Sequence, residues 1–154
     1  MGGIDMNTVK IKCRDLMVGD WITNRNGFPM QITNVGEDYA YATFEGNEGD
    51  PWEFDNKDDQ PQPIEIIDDM LSKNNWEECD YPLPYNLHEY YYVKDESGNH
   101  LTWNSEELSI WFDWEKDKEE GTYANIVIPV KYVHQFQHVL RLAGLTDMAN
   151  NFKV

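Results

Sequence analysis

The chain has 154 residues, enough for one domain or two small lobes, and its 12 Lys and Arg stand against 29 Asp and Glu for a net charge of -17. That balance argues against direct nucleic-acid binding and against anionic membranes, because no basic stripe exists to release phosphate counterions. An aromatic share of 14% argues equally against a disordered acidic tail, since so many rings specify a packed core.

With the opening MGGID set aside, the first predicted lobe covers residues 8–62. Its lead, DLMVGDWI, has the pattern that opens many small SH3-like barrels: Gly19 permits a tight turn, Asp20 caps it, and Leu16, Val18 and Ile22 enter the core. Asn26-Gly27 is a strong hairpin signal, with both residues expected at positive φ. After a second turn at Gly36-Glu37-Asp38, YAYATF alternates Tyr39, Tyr41 and Thr43 on one face with Ala40, Ala42 and Phe44 on the other. Residues 45–63 are rich in Gly, Pro and acid, and read as a mobile excursion carrying Trp52 and Phe54. Within it, DNKDDQ places Lys57 at a ligand position and lacks the central Gly of a calcium loop.

The second predicted lobe covers 63–154. Ile64 and Ile66 read as a strand end, and Asp68 onward as a short helix with acids in its first turn, Met70 and Leu71 inward, and Asn74-Asn75 as a left-handed stop. Beyond the turn-rich 80–88, a run of rings alternating with polar residues around Ser97-Gly98-Asn99 predicts a strand meander. Leu108, Ile110, Phe112 and Trp114 share one strand face, Ser109, Trp111 and Asp113 the other. The segment 116–121 forms an exposed turn, and Ile126, Val127 and Ile128 a more buried strand. The fold class is therefore α+β: an N-terminal SH3-like small β-barrel followed by a helix, a four-stranded antiparallel meander and a C-terminal helix packed across that meander.

The C-terminal helix carries His134 and His138 at metal-ligand spacing. At 100° per residue, Tyr132, Val133, Phe136, Val139, Leu140 and Ala143 form the apolar arc, while His134, Gln137, His138 and Arg141 fall opposite and face solvent. Gln135 stands where a zinc protease needs Glu, and Arg141 opposes a bound cation, so no metal is predicted. Gly144 ends the helix. Cys13 and Cys79 form no CxxC pair, which suits a reducing cytoplasm and gives neither a disulfide framework nor a zinc knuckle. His88 and His100 have no second ligand beside them, Asp68 and Asp69 point apart, and no nucleophile elbow, phosphate loop or dinucleotide fingerprint is present. The reading is therefore of a non-enzyme without cofactor.

Two segments carry a resemblance. PIEIIDDMLSKNNW and IPVKYVHQFQHVLRLAGL resemble an uncharacterised small-protein family of gut bacteroidete bacteria, their phages and mobile elements. In that family the first segment reads Pro-Ile-x-Leu-Thr-x-x-Ile-Leu-x-Lys-Asn-Gly-Phe and the second contains Val-His-Gln-Leu-Gln. Pro63, Ile64, Leu71, Lys73, Asn74 and Trp76 match the first, and Val133, His134, Gln135 and Gln137 the second. Asn75 in place of Gly and the acidic stretch 45–63 depart from the pattern. The resemblance implies the same barrel, helix, meander and helix order, supplies no reaction, and points to His134 and Gln135 as residues that cap a strand end or pin the helix start.

Residues 45–120 hold 23 acids and 5 bases, a field that would select a protein partner with a basic surface. The expected function is thus that of a non-catalytic protein-binding or accessory protein, encoded by a phage or mobile element. The alternatives are an acidic mimic of nucleic acid that inhibits a basic protein, or a carbohydrate-binding module using Trp103, Trp111 and Trp114 as stacking rings. No signal peptide, lipidation motif or spanning apolar run is recognisable, so a cytoplasmic, unanchored chain is expected.

Overall fold

Alternation of small apolar residues and rings sets the first sheet. In β3 (Tyr39–Thr43), Ala40 and Ala42 are fully buried while Tyr39, Tyr41 and Thr43 occupy the opposite face, the period-two signature of a half-buried strand. β1 (Trp21–Thr23), β2 (Pro29–Val35) and β4 (Trp52–Asp55) complete a curled antiparallel sheet in the order β1-β2-β3-β4. The computed structural model describes residues 10–79, 90–94, 98–104, 107–113, 116, 119–121 and 124–154. The chain divides into two compact units, Met1–Glu65 with Tyr132–Asn150, and Ile66–Lys131 with Asn151–Val154.

Three expectations for the first unit are corrected. The acidic stretch 45–63 is no mobile excursion: Trp52 and Phe54 lie in β4, with Ala40 opposite Phe54 and Phe54 fully buried in the core. Composition hid a strand whose acids fall on the solvent face while its rings fall on the other. The acids that follow fold back on themselves, since Asp55 Oδ1 accepts the N–H groups of Lys57, Asp58 and Asp59 at 2.7, 2.7 and 3.1 Å, and Trp52 Nε1 donates to Asp59 Oδ2 at 2.7 Å. At the first hairpin only Gly27 is left-handed, at φ 78°. Asn24 organises the loop, its Oδ1 accepting from Asn26 and Phe28 and its carbonyl from Gly27, so a longer turn closed by an Asn side chain replaces the two-residue one. Val18 is 60% exposed, because the turn ahead of β1 turns it outward while Leu16 and Ile22 are buried as expected.

The second unit is a five-stranded antiparallel meander, not a four-stranded one: β5 (Glu77–Cys79), β6 (Tyr90–Lys94), β7 (His100–Asn104), β8 (Glu107–Trp111) and β9 (Ile126–Pro129), paired in sequence order. The extra strand, Glu-Glu-Cys, has no strand signal of its own and is held by its ladder to Tyr90, Tyr91 and Tyr92. In β8 the expected two-faced alternation fails, since Leu108, Ser109, Ile110 and Trp111 are all buried. Phe112, beyond the strand, is 40% exposed. β9 is the outer strand with Val127 half exposed, so the run Ile126-Val127-Ile128 is an edge, and Pro129 ends it where a missing donor costs least.

Helix α1 (Asp68–Lys73) leads into β5 through a Schellman stop. Trp76 N–H donates to the Leu71 carbonyl at 2.9 Å and Asn75 N–H to that of Ser72 at 3.1 Å, with Asn75 at φ 65°. Leu71 and Trp76 are both buried beneath this turn. The same motif ends α2 (Val133–Leu142), where Gly144 has φ 83° and Leu145 N–H reaches the Leu140 carbonyl at 2.8 Å. A short α3 (Thr146–Asn150) follows. Both helices belong to the first unit. The sequence grouped residues 132–150 with the meander, in a lobe running from 63 to 154, and the physical reason for the difference lies in the polar face of α2.

Candidate functional site

The turn 17–20 is built around Asp20. Gly19 at φ 94° brings the chain round, Asp20 N–H donates to the Met17 carbonyl at 3.0 Å, and Asp20 Oδ2 accepts from Met17 N–H at 2.8 Å. Asp20 is fully buried, and a buried carboxylate is stable only when its charge is matched. The match comes from α2: Arg141 Nη1 reaches Oδ1 at 2.5 Å and His138 Nε2 lies 2.6 Å from Oδ2. The guanidinium also donates from Nε and Nη2 to Asn150 Oδ1, at 3.2 Å each. A methyl group added at Gly19 would sit 3.0 Å from both Arg141 Nη2 and Asn150 Oδ1, so the glycine also leaves room for this pairing.

Gln137, fully buried, does the second half of the work. Its Oε1 accepts Trp21 N–H at 2.9 Å, and its Nε2 donates to the Gly19 carbonyl at 2.8 Å and the Ala149 carbonyl at 3.0 Å. Two residues along the same strand, Thr23 exchanges backbone hydrogen bonds with Gln62 at 3.0 and 2.9 Å. The side-chain amide thus occupies the place of a neighbouring peptide group and completes the open edge of β1.

The polar stripe of α2 is therefore corrected from a solvated face to a paired one, with His134 and Gln137 buried and His138 and Arg141 half-buried. His134 is 7% exposed, and its ring stacks on Tyr132 and meets His138 edge-on with centroids 5.8 Å apart. Burial drives its pKa down to about 4, with Asp20 pulling up and His138 pushing down. The imidazole is neutral at pH 7, and its Nδ1 has no hydrogen-bond partner. Gln135 pins the helix start by accepting Tyr132 N–H at 3.2 Å. An Asp–His pair has the geometry that orients a general base. Here His138 shares the Asp20 carboxylate with Arg141 and Met17 N–H, so it is one of three groups that hold that charge. Among the described residues, no group of three or more His, Cys, Asp or Glu is arranged to hold a metal ion.

The rings expected to stack on a ligand sit elsewhere. Trp103 and Trp111 are 4% and 2% exposed, so both are core rings, while Trp114 lies outside the described residues. His100, 4% exposed, stacks on Tyr92 and meets Trp111 edge-on; burial, reinforced by Lys94, lowers its pKa to about 4. Trp103 Nε1 is buried without a hydrogen-bond partner.

Exposed rings occur instead on the outer face of the first sheet. Tyr39 is 45% exposed, Tyr41 is half-buried, and the two rings meet edge-on with centroids 5.5 Å apart. Directly across the ladder stand Asp55 opposite Tyr39 and Glu53 opposite Tyr41. The acid-rich composition of 45–63 masks this face in the sequence; the alternation Trp52, Glu53, Phe54, Asp55 is the signal that marks it. In the same unit a cavity of about 410 Å³ is lined by Lys10, Lys12 and Arg14 together with Glu37 and Asp38. No helix among the described residues is long and apolar enough to cross a membrane. No protein-family model, curated protein or solved structure matches this chain.

Proposed function

We propose that this chain is a non-catalytic binding protein whose partner is a protein with a basic surface. The observation that carries this reading is that the polar cluster around Asp20 is satisfied within its own unit: Asp20 pairs with Arg141 and His138, Arg141 also reaches Asn150, and Gln137 bonds the backbone of Gly19, Trp21 and Ala149. What is left facing outward is a large excess of carboxylates beside exposed rings, and such a surface steers and selects cationic partners. The curled sheet β1–β4, extended at its β1 edge by Gln62, supports assigning the first unit to the SH3-like small barrels, architectures that carry many unrelated binding functions. A cytoplasmic setting and an origin in the phage or mobile-element family that the sequence resembles are part of the same proposal.

The test is capture of partners from a host lysate by the full chain at about 50 mM and about 500 mM salt, a span over which exposed charge pairs are progressively screened. Recovery of basic proteins that collapses at the higher salt supports the reading. Recovery unaffected by salt, or confined to acidic proteins, refutes it.

A further inference from the structure

We propose that the outer face of the β1–β4 sheet is the docking surface for an arginine-bearing segment of the partner, with Tyr39 and Tyr41 stacking on guanidinium groups and Glu53 and Asp55 neutralising them. This deepens the reading of the chain as a binder of basic proteins and rests on it. Four observations within one unit converge. Cross-strand register sets Tyr39 opposite Asp55 and Tyr41 opposite Glu53, so each tyrosine shares the sheet face with an acidic residue directly across the ladder. The Tyr39 ring lies over Gly36, so close that a methyl group there would fall 2.3 Å from it, and the glycine thus gives the ring a surface to rest on. Asp55 keeps its negative charge, since three N–H groups hold Oδ1 and lower its pKa. Among the described residues the Glu53 carboxylate forms no ion pair, whereas Glu37 and Asp38 of the preceding turn share a cavity with Lys10, Lys12 and Arg14, so the free charge on this face is that of Glu53 and Asp55.

A flat cation that stacks on a ring and forks onto a carboxylate is an arginine; a lysine ammonium satisfies the charge but not the stacking. Extended basic peptide is thus the occupant that matches both the rings and the field. A nucleic acid is excluded from this face by the same carboxylates.

The experiment uses the full chain and two nine-residue probes of equal charge, one with three arginines spaced by Gly and Ser, the other with three lysines. Affinity is read by calorimetry at about 50 mM salt and location by amide shifts in NMR. The expected result is about two- to five-fold tighter binding of the arginine probe, as exposed cation–ring contacts give, with the largest shifts at Tyr39, Tyr41, Glu53 and Asp55. Tyr39→Leu with Tyr41→Leu should erase the preference while leaving lysine-probe affinity nearly unchanged. Glu53→Gln should weaken both probes alike. Equal affinities, or shifts spread over the acids of 45–120 with no focus on this face, would overturn the docking assignment while leaving a basic partner in place. No binding of either probe would remove the broader reading as well.

Discussion

In the first unit a buried carboxylate is matched by a guanidinium, an imidazole and a backbone N–H, the farthest of them 121 residues away. In the second unit the central strands β7 and β8 are closed by rings, with His100 set between Tyr92 and Trp111 and Trp103 buried without a partner for its N–H. The first arrangement fixes one register, because each polar group has one geometry in which it is satisfied. The second is held by packing of large rings, whose contacts are less directional than a satisfied hydrogen bond. Specificity of assembly is thus concentrated at Asp20 and Gln137, and the meander is held by area and by its continuous ladder.

The sharpest way to break the contrast is Asp20→Ala. It strands Arg141 as a buried cation and frees Met17 N–H, and should cost about 3–5 kcal/mol in a denaturant titration of the full chain. A loss under about 1 kcal/mol would mean that the cluster is hydrated in solution.

Acid should affect both units. His134 and His100 have pKa values of about 4 in the fold against an ordinary 6.5. Between those values the unfolded chain binds more protons, so stability is complete above about pH 6.5 and falls as pH drops towards 4. Each histidine withdraws up to roughly 3 kcal/mol by pH 4. Unfolding midpoints measured from pH 7 to 4.5 should fall accordingly, and His134→Phe or His100→Phe should each flatten part of the slope. An unchanged slope in either variant would show that its ring is not buried neutral.

Gln137→Ala should cost roughly 1–3 kcal/mol, since it removes the acceptor that Gln137 offers Trp21 N–H and its donor to the Ala149 carbonyl, while the Gly19 carbonyl keeps Gln31 Nε2. It should also speed hydrogen exchange at Trp21 while leaving Tyr41 protected. In the ring-packed unit, Trp103→Phe should cost about 1–3 kcal/mol in the same titration, because the cavity left by the smaller ring outweighs the gain from deleting a donor that has no acceptor. A neutral or stabilising result there would show that the unpaired indole N–H, not ring packing, dominates at this position.

Much of the local structure was legible in the sequence, and the reasons are specific. Ala40 and Ala42 alternate with tyrosines, Gly19 and Asp20 write a turn, and Asn75 and Gly144 write helix stops. These are signals carried by neighbouring residues. What failed was whatever depends on a distant partner. Helical periodicity separates polar from apolar faces, but it cannot tell a face turned to water from one turned to a buried Asp20, so α2 was read as solvated on the side that is in fact paired. The same blindness assigned α2 to the meander, since nothing in residues 132–150 names Gly19 or Trp21 as partners. β4 was lost to composition: its two rings were outvoted by the acids around them. Alternation along β7 and β8 suggests surface rings at Trp103 and Trp111 and conceals that both faces are covered.

A double-mutant cycle on Asp20 and Arg141 tests the central claim most directly, using Asp20→Asn, Arg141→Gln and the pair. If α2 is locked to the first sheet through this ion pair, the two losses will fail to add, with a coupling energy of at least about 1.5 kcal/mol. Additive losses, with coupling near zero, would contradict it.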